Sequence, residues 1–242
     1  MNTKTNILPA NLKKETIEYY KEGNKFSAIL DQRLYGDDYL LAKTENPLRT
    51  DAFDKNDEEK IAEIAAHFGS IMEILGLDLD DDSLKGTPNR VAKMYVKEIF
   101  SGLNPANKPN IKLFDNKYKY NEMLVEKDIT FYSNCEHHFV PIIGKAHVAY
   151  IPSGKVIGLS KLNRIVQYYA KRPQVQERLT IQIAEEIKSA VKSEHVAVMI
   201  VATHLCVSSR GIQDIASSTA TSSYFGKFLL EDVKKEFLSY VL

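Results

Sequence analysis

The apolar positions of this chain change their period partway along it. Ile61, Ile64, Ala65, Phe68, Met72 and Leu75 recur at helical spacing, which predicts an amphipathic helix starting near Asp57 and ended by Gly76. Pro88 stands where the first turn of a second helix accepts proline. Val91, Tyr95, Val96 and Ile99 supply its apolar face, up to a stop at Gly102. A loop rich in Asn, Lys and Pro follows over residues 104–120. From Leu124 the period falls to two. Ile129-Thr130-Phe131-Tyr132 is β-prone, and Ala146, Val148 and Tyr150 alternate with His147 and Ala149. Pro152-Ser153-Gly154-Lys155 reads as a hairpin turn, after which residues 156–159 return as a strand. Ser160 suits the N-cap of a helix striped by Leu162, Ile165, Val166 and Tyr169, and Pro173 breaks that helix. Val175, Leu179, Ile183, Ile187 and Val191 mark the next helix. Residues 196–202 form an apolar strand, and residues 225–242 form a last helix with Phe228, Val233, Phe237 and Val241 inward. This order of elements is that of an α+β protein, with no internal repeat and no low-complexity segment.

Before Asp57 the pattern fades. Residues 1–56 are rich in Asn, Lys, Asp and Glu and are expected to be an extension, partly disordered or helical, with a short helix over residues 13–22. Residues 57–120 then form an N-terminal helical region, and residues 121–242 the catalytic domain.

Composition narrows the function classes. Hydrophobic residues make up 44% and charged residues 26%, as in ordinary soluble proteins. Lys plus Arg and Asp plus Glu are equal at 32 each, so no general attraction to nucleic acid or to an anionic membrane is expected. An anionic ligand would need a local cluster of positive charge. The first residues lack the apolar core of a signal peptide, and no stretch approaches the roughly 18 apolar residues of a membrane span. The 2 cysteines, Cys135 and Cys206, are too few for a secreted disulfide framework, so a reducing cytoplasm is the expected setting.

Those cysteines carry the chemistry. Cys135 opens Cys-Glu-His-His and Cys206 closes His-Leu-Cys. Thiolate sulfur and imidazole nitrogen are the donors zinc prefers, and a catalytic site uses three of them and leaves a position open. Cys135, His138 and Cys206 supply three, leaving His137 and His204 as proton carriers. The bland alternative is two buried thiols with neighbouring histidines. There is no His-Glu-x-x-His, no zinc-deaminase signature and no Gly-x4-Gly-Lys-Ser/Thr phosphate loop. Lys161 and Arg164 open a predicted helix, Arg90 and Lys93 repeat the spacing, and Arg210 follows the second cluster. Taken singly, such pairs are usually solvated faces. Glu177, by itself, reads as a dipole partner at a helix start.

Together these segments resemble the GTP cyclohydrolase I family. The matching strings are Gly-Thr-Pro-Asn-Arg-Val-Ala-Lys (86–93), Ser-Asn-Cys-Glu-His-His (133–138), Ile-Gly-Leu-Ser-Lys-Leu-Asn-Arg (157–164), Arg-Pro-Gln-Val-Gln-Glu-Arg-Leu-Thr (172–180) and Ala-Thr-His-Leu-Cys (202–206), continued by residues 208–212. The resemblance implies a tunnelling fold, with an antiparallel sheet, helices packed on one face and sheets joined into a barrel across subunits. It implies a homodecamer with active sites at subunit interfaces, and Zn2+ held by Cys135, His138 and Cys206. By the same resemblance His137 protonates the purine, His204 moves a second proton and Ser160 touches the ribose. Glu177 with Gln176 anchors guanine. Lys161, Arg164 and Arg210 meet the triphosphate, joined by Arg90 and Lys93 from a neighbouring subunit. The implied product of GTP is 7,8-dihydroneopterin triphosphate, with formate released. Two rivals remain at this point. A tunnelling-fold nitrile reductase would use a nucleophilic Cys with a nicotinamide cofactor, and a zinc-stabilised binding module would close the fourth metal position with protein.

Overall fold

The computed structural model describes residues 45–242 and, before them, the backbone of two strands. Strands β1 (Glu15–Lys21) and β2 (Asn24–Leu30) pair antiparallel, with Glu15 opposite Leu30 and Lys21 opposite Asn24. The helix expected over residues 13–22 is therefore a strand wherever its backbone is described. Thr16, Ile17, Tyr19 and Tyr20 are β-branched or aromatic, the types that favour a pleated backbone. The chain divides after Lys43 into two compact units, of which the second carries everything that follows.

Helix α1 (Asp57–Ile74) opens with a full capping box between Asn56 and Glu59, and Gly76 follows its end at φ 81°, a left-handed conformation suited to glycine. Helix α2 (Thr87–Met94) starts beside Pro88 but passes into a single π turn, Tyr95–Ile99, and then a 3-10 turn, Ser101–Leu103. One helix up to Gly102 was expected, and packing at its end decides otherwise. Gly102 lies so close to another segment that a Cβ there would fall 2.0 Å from the Tyr168 carbonyl oxygen. Its N–H donates to the Lys171 carbonyl at 2.9 Å.

The strands are β3 (Leu113–Asp115), β4 (Leu124–Cys135), β5 (Pro141–Tyr150), β6 (Lys155–Ile157), β7 (Pro173–Gln174), β8 (Val196–His204) and β9 (Thr219–Tyr224). Five of them form one sheet in the order β7-β4-β5-β8-β9, antiparallel except for β4 with β7. The hairpin expected across Pro152–Lys155 does not form, because β6 pairs with β3 and not with β5. The tight hairpin is β4–β5, and its connection is the Glu-His-His segment.

Alternation along the strands separates two cores. Val148, Tyr150, Val198 and Ile200 face helices α3 (Leu159–Ala170) and α4 (Gln176–Val191), burying Leu162, Ile165, Leu179, Ile183 and Ile187 completely. Each such side chain contributes about 1.5–3 kcal/mol by leaving water. Ala149, Ala197 and Met199 point the other way, onto Phe228 and onto Phe237 of the last helix, Glu231–Val241. Helices thus cover both faces, and the expected one-sided packing holds only for α3 and α4. The reason is that the tail buries two aromatic rings and needs an apolar surface of its own. The class is α+β, and the mainly antiparallel sheet is compatible with a tunnelling fold. Among the described residues no helix is long and apolar enough to cross a membrane.

Candidate metal centre

Sheet register brings the two cysteine clusters together. Ser133 of β4 and His204 of β8 both lie opposite Ile142 of the intervening β5. Cys135 ends β4, and Cys206 follows β8 in the short helix α5 (Leu205–Ser208). Residues far apart in the chain therefore converge at one end of three neighbouring strands. The β4–β5 connection is held tightly. The Cys135 N–H donates to the Val140 carbonyl at 2.9 Å, and the Phe139 N–H donates to the Cys135 carbonyl at 2.8 Å. Phe139 takes φ 55°, and its ring packs on Phe100 at 5.1 Å between centroids.

The side-chain donors of Cys135, His138 and Cys206 all lie within 4.8 Å of one another, and Cys135 Sγ is 3.8 Å from His138 Nδ1. A tetrahedral zinc with sulfur at about 2.3 Å and nitrogen at about 2.0 Å sets ligand-to-ligand edges of about 3.6–3.8 Å, so the donor set fits that ion. Cys135 is buried, Cys206 half-buried and His138 exposed. Burial pushes the Cys206 thiol up, and the adjoining Cys135 adds to this, while the Arg210 guanidinium works against it. Two thiols crowding one another in this way are what a divalent cation relieves, since it favours both as thiolates.

The proton-carrier candidates sit beside this set. His137 is exposed, with Nδ1 3.7 Å from Cys135 Sγ and Nε2 3.9 Å from a Glu136 carboxylate oxygen. His204 Nε2 is 2.7 Å from Gln176 Oε1. Burial pushes the His204 pKa down, and the nearby Glu177 carboxylate opposes this. Glu177 itself is exposed at the start of α4. Gln176 is buried, its amide engaged within the chain, so the structure seats it behind His204.

The polar residues expected at the substrate are placed as follows. Ser160 is not the N-cap of α3; Gly158 is, because the helix starts at Leu159, and this leaves the Ser160 side chain exposed. Arg164 lines a cavity of about 350 Å³ with Asn107, Gln167 and Lys171, and Lys161 lies one turn earlier on the same helix. Arg210 is exposed and reaches back to the Cys206 carbonyl at 3.5 Å. Arg90 folds onto the start of its own helix, donating to the Ser83 carbonyl at 3.0 Å and to Thr87 Oγ1 at 2.7 Å. Lys93 is exposed on that helix. Of the cations expected at the triphosphate, Arg210 is the one that the described residues place against the candidate metal site, at the Cys206 carbonyl.

Sequence reasoning missed the groups that brace the metal loop. Arg178 forms an ion pair with Glu136, which stands between Cys135 and His137, and donates from Nε to Gln174 Oε1 at 3.2 Å. The Glu136 N–H donates to the Gln174 carbonyl at 3.0 Å. Arg172 is buried against the Tyr168 and Tyr169 rings, at 4.7 and 4.5 Å, and donates to the Gly102 carbonyl at 2.8 Å. A buried arginine flanked by two tyrosines is the one local signal that could have marked the last of these.

Comparison with known proteins gives the family. The family model described as GTP cyclohydrolase I matches residues 64–241. The GTP cyclohydrolase 1 of Flavobacterium johnsoniae is 64% identical over 206 residues, covering 85% of this chain and 92% of that relative. The GTP cyclohydrolase 1 of Aeromonas hydrophila is 54% identical over 196 residues, covering 81% and 89%. That of Salmonella arizonae is 52% identical over 206 residues, covering 84% and 93%. With the family's matched region enclosing both cysteine clusters and the braced loop between them, the chain belongs to the GTP cyclohydrolase I family and is an enzyme of that activity.

Proposed function

We propose that the chain is a zinc enzyme that opens the imidazole ring of GTP, releases formate and rearranges the ribose, yielding 7,8-dihydroneopterin triphosphate. The observation that carries this reading is the Cys135–His138–Cys206 donor set with two further histidines beside it. Cys135, His138 and Cys206 would hold the zinc, which would supply a water acidified toward about pH 7. The remaining work belongs to side chains. His137, exposed and next to a carboxylate, gives a proton to N7 of the purine, which makes C8 open to attack. His204 and Ser160 serve the later ribose steps. Glu177 accepts from the N–H and amino groups of guanine, next to His204. Lys161, Arg164 and Arg210 hold the triphosphate, with Arg90 and Lys93 reaching in from a neighbouring subunit. The triphosphate does no chemistry, and its binding fixes the base against the reacting groups. In keeping with that division, the assembly is a homodecamer in the cytoplasm.

The test is metal analysis of the purified protein beside a GTP-to-pterin assay, with and without a chelator. The expected result is one zinc per chain, a fluorescent pterin after oxidation, and loss of both with the chelator. Full activity in a metal-free preparation would overturn the reading. His137→Ala should keep its zinc and lose at least about 100-fold in turnover, the usual worth of a positioned acid. Native mass spectrometry should find ten copies of the 27.4 kDa chain.

A further inference from the structure

The amide of Gln176 is surrounded in a way that removes the usual ambiguity of glutamine orientation. One of its polar atoms lies 3.2 Å from the Ile200 carbonyl, 2.9 Å from the Thr219 carbonyl and 3.1 Å from Thr221 Oγ1. Two of these three are acceptors with no hydrogen to give, so the atom facing them must be the amide nitrogen. Flipping the amide would set its oxygen against two carbonyl oxygens in a buried place, a repulsive contact in which neither side has a hydrogen to give. The oxygen therefore faces His204, and at 2.7 Å it can only accept. It follows that His204 Nε2 carries a hydrogen.

We infer that Gln176 is a positioning residue that orients the His204 ring and holds it as the Nε2–H tautomer. Among the described residues, Nδ1 makes no hydrogen bond. Ile200 and Thr219, which anchor the amide, belong to β8 and to the edge strand β9, so the sheet itself fixes the histidine's orientation. This role differs from a guanine contact, for which the amide has no free hydrogen. The inference rests on His204 being the proton carrier of the proposed reaction.

Two measurements test it, and they separate its failure from failure of the proposed function. The first uses the zinc-loaded wild-type protein and involves no substrate: nitrogen NMR of 15N-histidine-labelled protein at neutral pH, with His204 assigned by its loss in His204→Asn. A hydrogen on Nε2 and a bare Nδ1 are expected; a hydrogen on Nδ1 instead would overturn the inference, whatever the enzyme makes from GTP. The second is Gln176→Met. Its kcat should fall about tenfold or more, the scale on which groups behind a working ligand act, while zinc content and the KM for GTP stay close to wild type. A raised KM with unchanged kcat would mean that the amide holds the base, and would overturn the positioning role. Should this variant fail to fold, the wild-type tautomer decides alone.

Discussion

Glu136 is the residue on which the metal loop turns. Its backbone N–H is tied to Gln174 and its carboxylate to Arg178, and both charged side chains are mostly shielded, at 27% and 16% exposure. Removing the arginine would leave a half-buried carboxylate between Cys135 of the candidate metal site and His137. Arg178→Met is therefore expected to lower stability by about 2 kcal/mol, the scale for losing a charged hydrogen-bond partner. It should also speed zinc loss to a chelator. Denaturant unfolding and the rate of zinc transfer measure the two effects. A variant with unchanged metal retention would show that the backbone bonds alone hold the loop. The three residues of the candidate metal site could be picked out from the sequence because residue type itself announces them: sulfur and imidazole recur together at Cys135-x-x-His138 and at Cys206. Glu136, Arg178 and the buried amide of Gln176 could not, since their meaning depends on partners reached only through the fold.

Among the elements, legibility followed the strength of the apolar stripe. Helices α3 and α4 show clear stripes, and Leu162, Ile165, Leu179, Ile183 and Ile187 are all fully buried. Strand β9, Thr-Ala-Thr-Ser-Ser-Tyr, has no apolar alternation and no fully buried residue, so only its pairing with β8 defines it. Strand β6 was visible, but its partner was not: a turn between two β-prone runs reads as a hairpin, whereas long-range pairing with β3 is decided by packing. The π turn after α2 likewise reflects the contact at Gly102. Two substitutions test these assignments. Ile187→Ala should cost about 2–5 kcal/mol, as for other buried aliphatic truncations. Gly102→Ala places a methyl against the Tyr168 carbonyl and should cost about 1–3 kcal/mol or more, as for an overfilled core, by displacing the segment that Arg172 pins. Chemical denaturation reads both, and a neutral Gly102→Ala would show that this approach is loose in solution.

Over the whole molecule, the behaviour in mild acid follows from histidines that are wholly or partly buried. Burial is the main cause that pushes His147 and His195 below the ordinary histidine value of 6.5, and it acts on His204 in the same way. His147 shows why most directly. Its Nδ1 accepts the Asp128 N–H at 3.2 Å beside the bulge in β4, which requires a bare nitrogen. Asp128 favours the charged ring, but burial, the largest cause, acts against it together with Lys145 and Lys127. A lowered folded pKa means that the unfolded chain takes up protons first. As pH falls through about 6.5, unfolding gains protons that the folded state refuses, so stability drops across the window from 6.5 down to the lowered values and levels off below them. Thermal midpoints should therefore decline between pH 7.5 and 5.5, above the range where carboxylates titrate. His147→Asn keeps an acceptor for Asp128 but cannot bind the proton, so its decline should be shallower than that of the wild type at matched zinc content. Parallel curves for the two proteins would mean that the folded molecule admits a proton at His147 as readily as the unfolded chain does, and that the acid response lies with the other histidines.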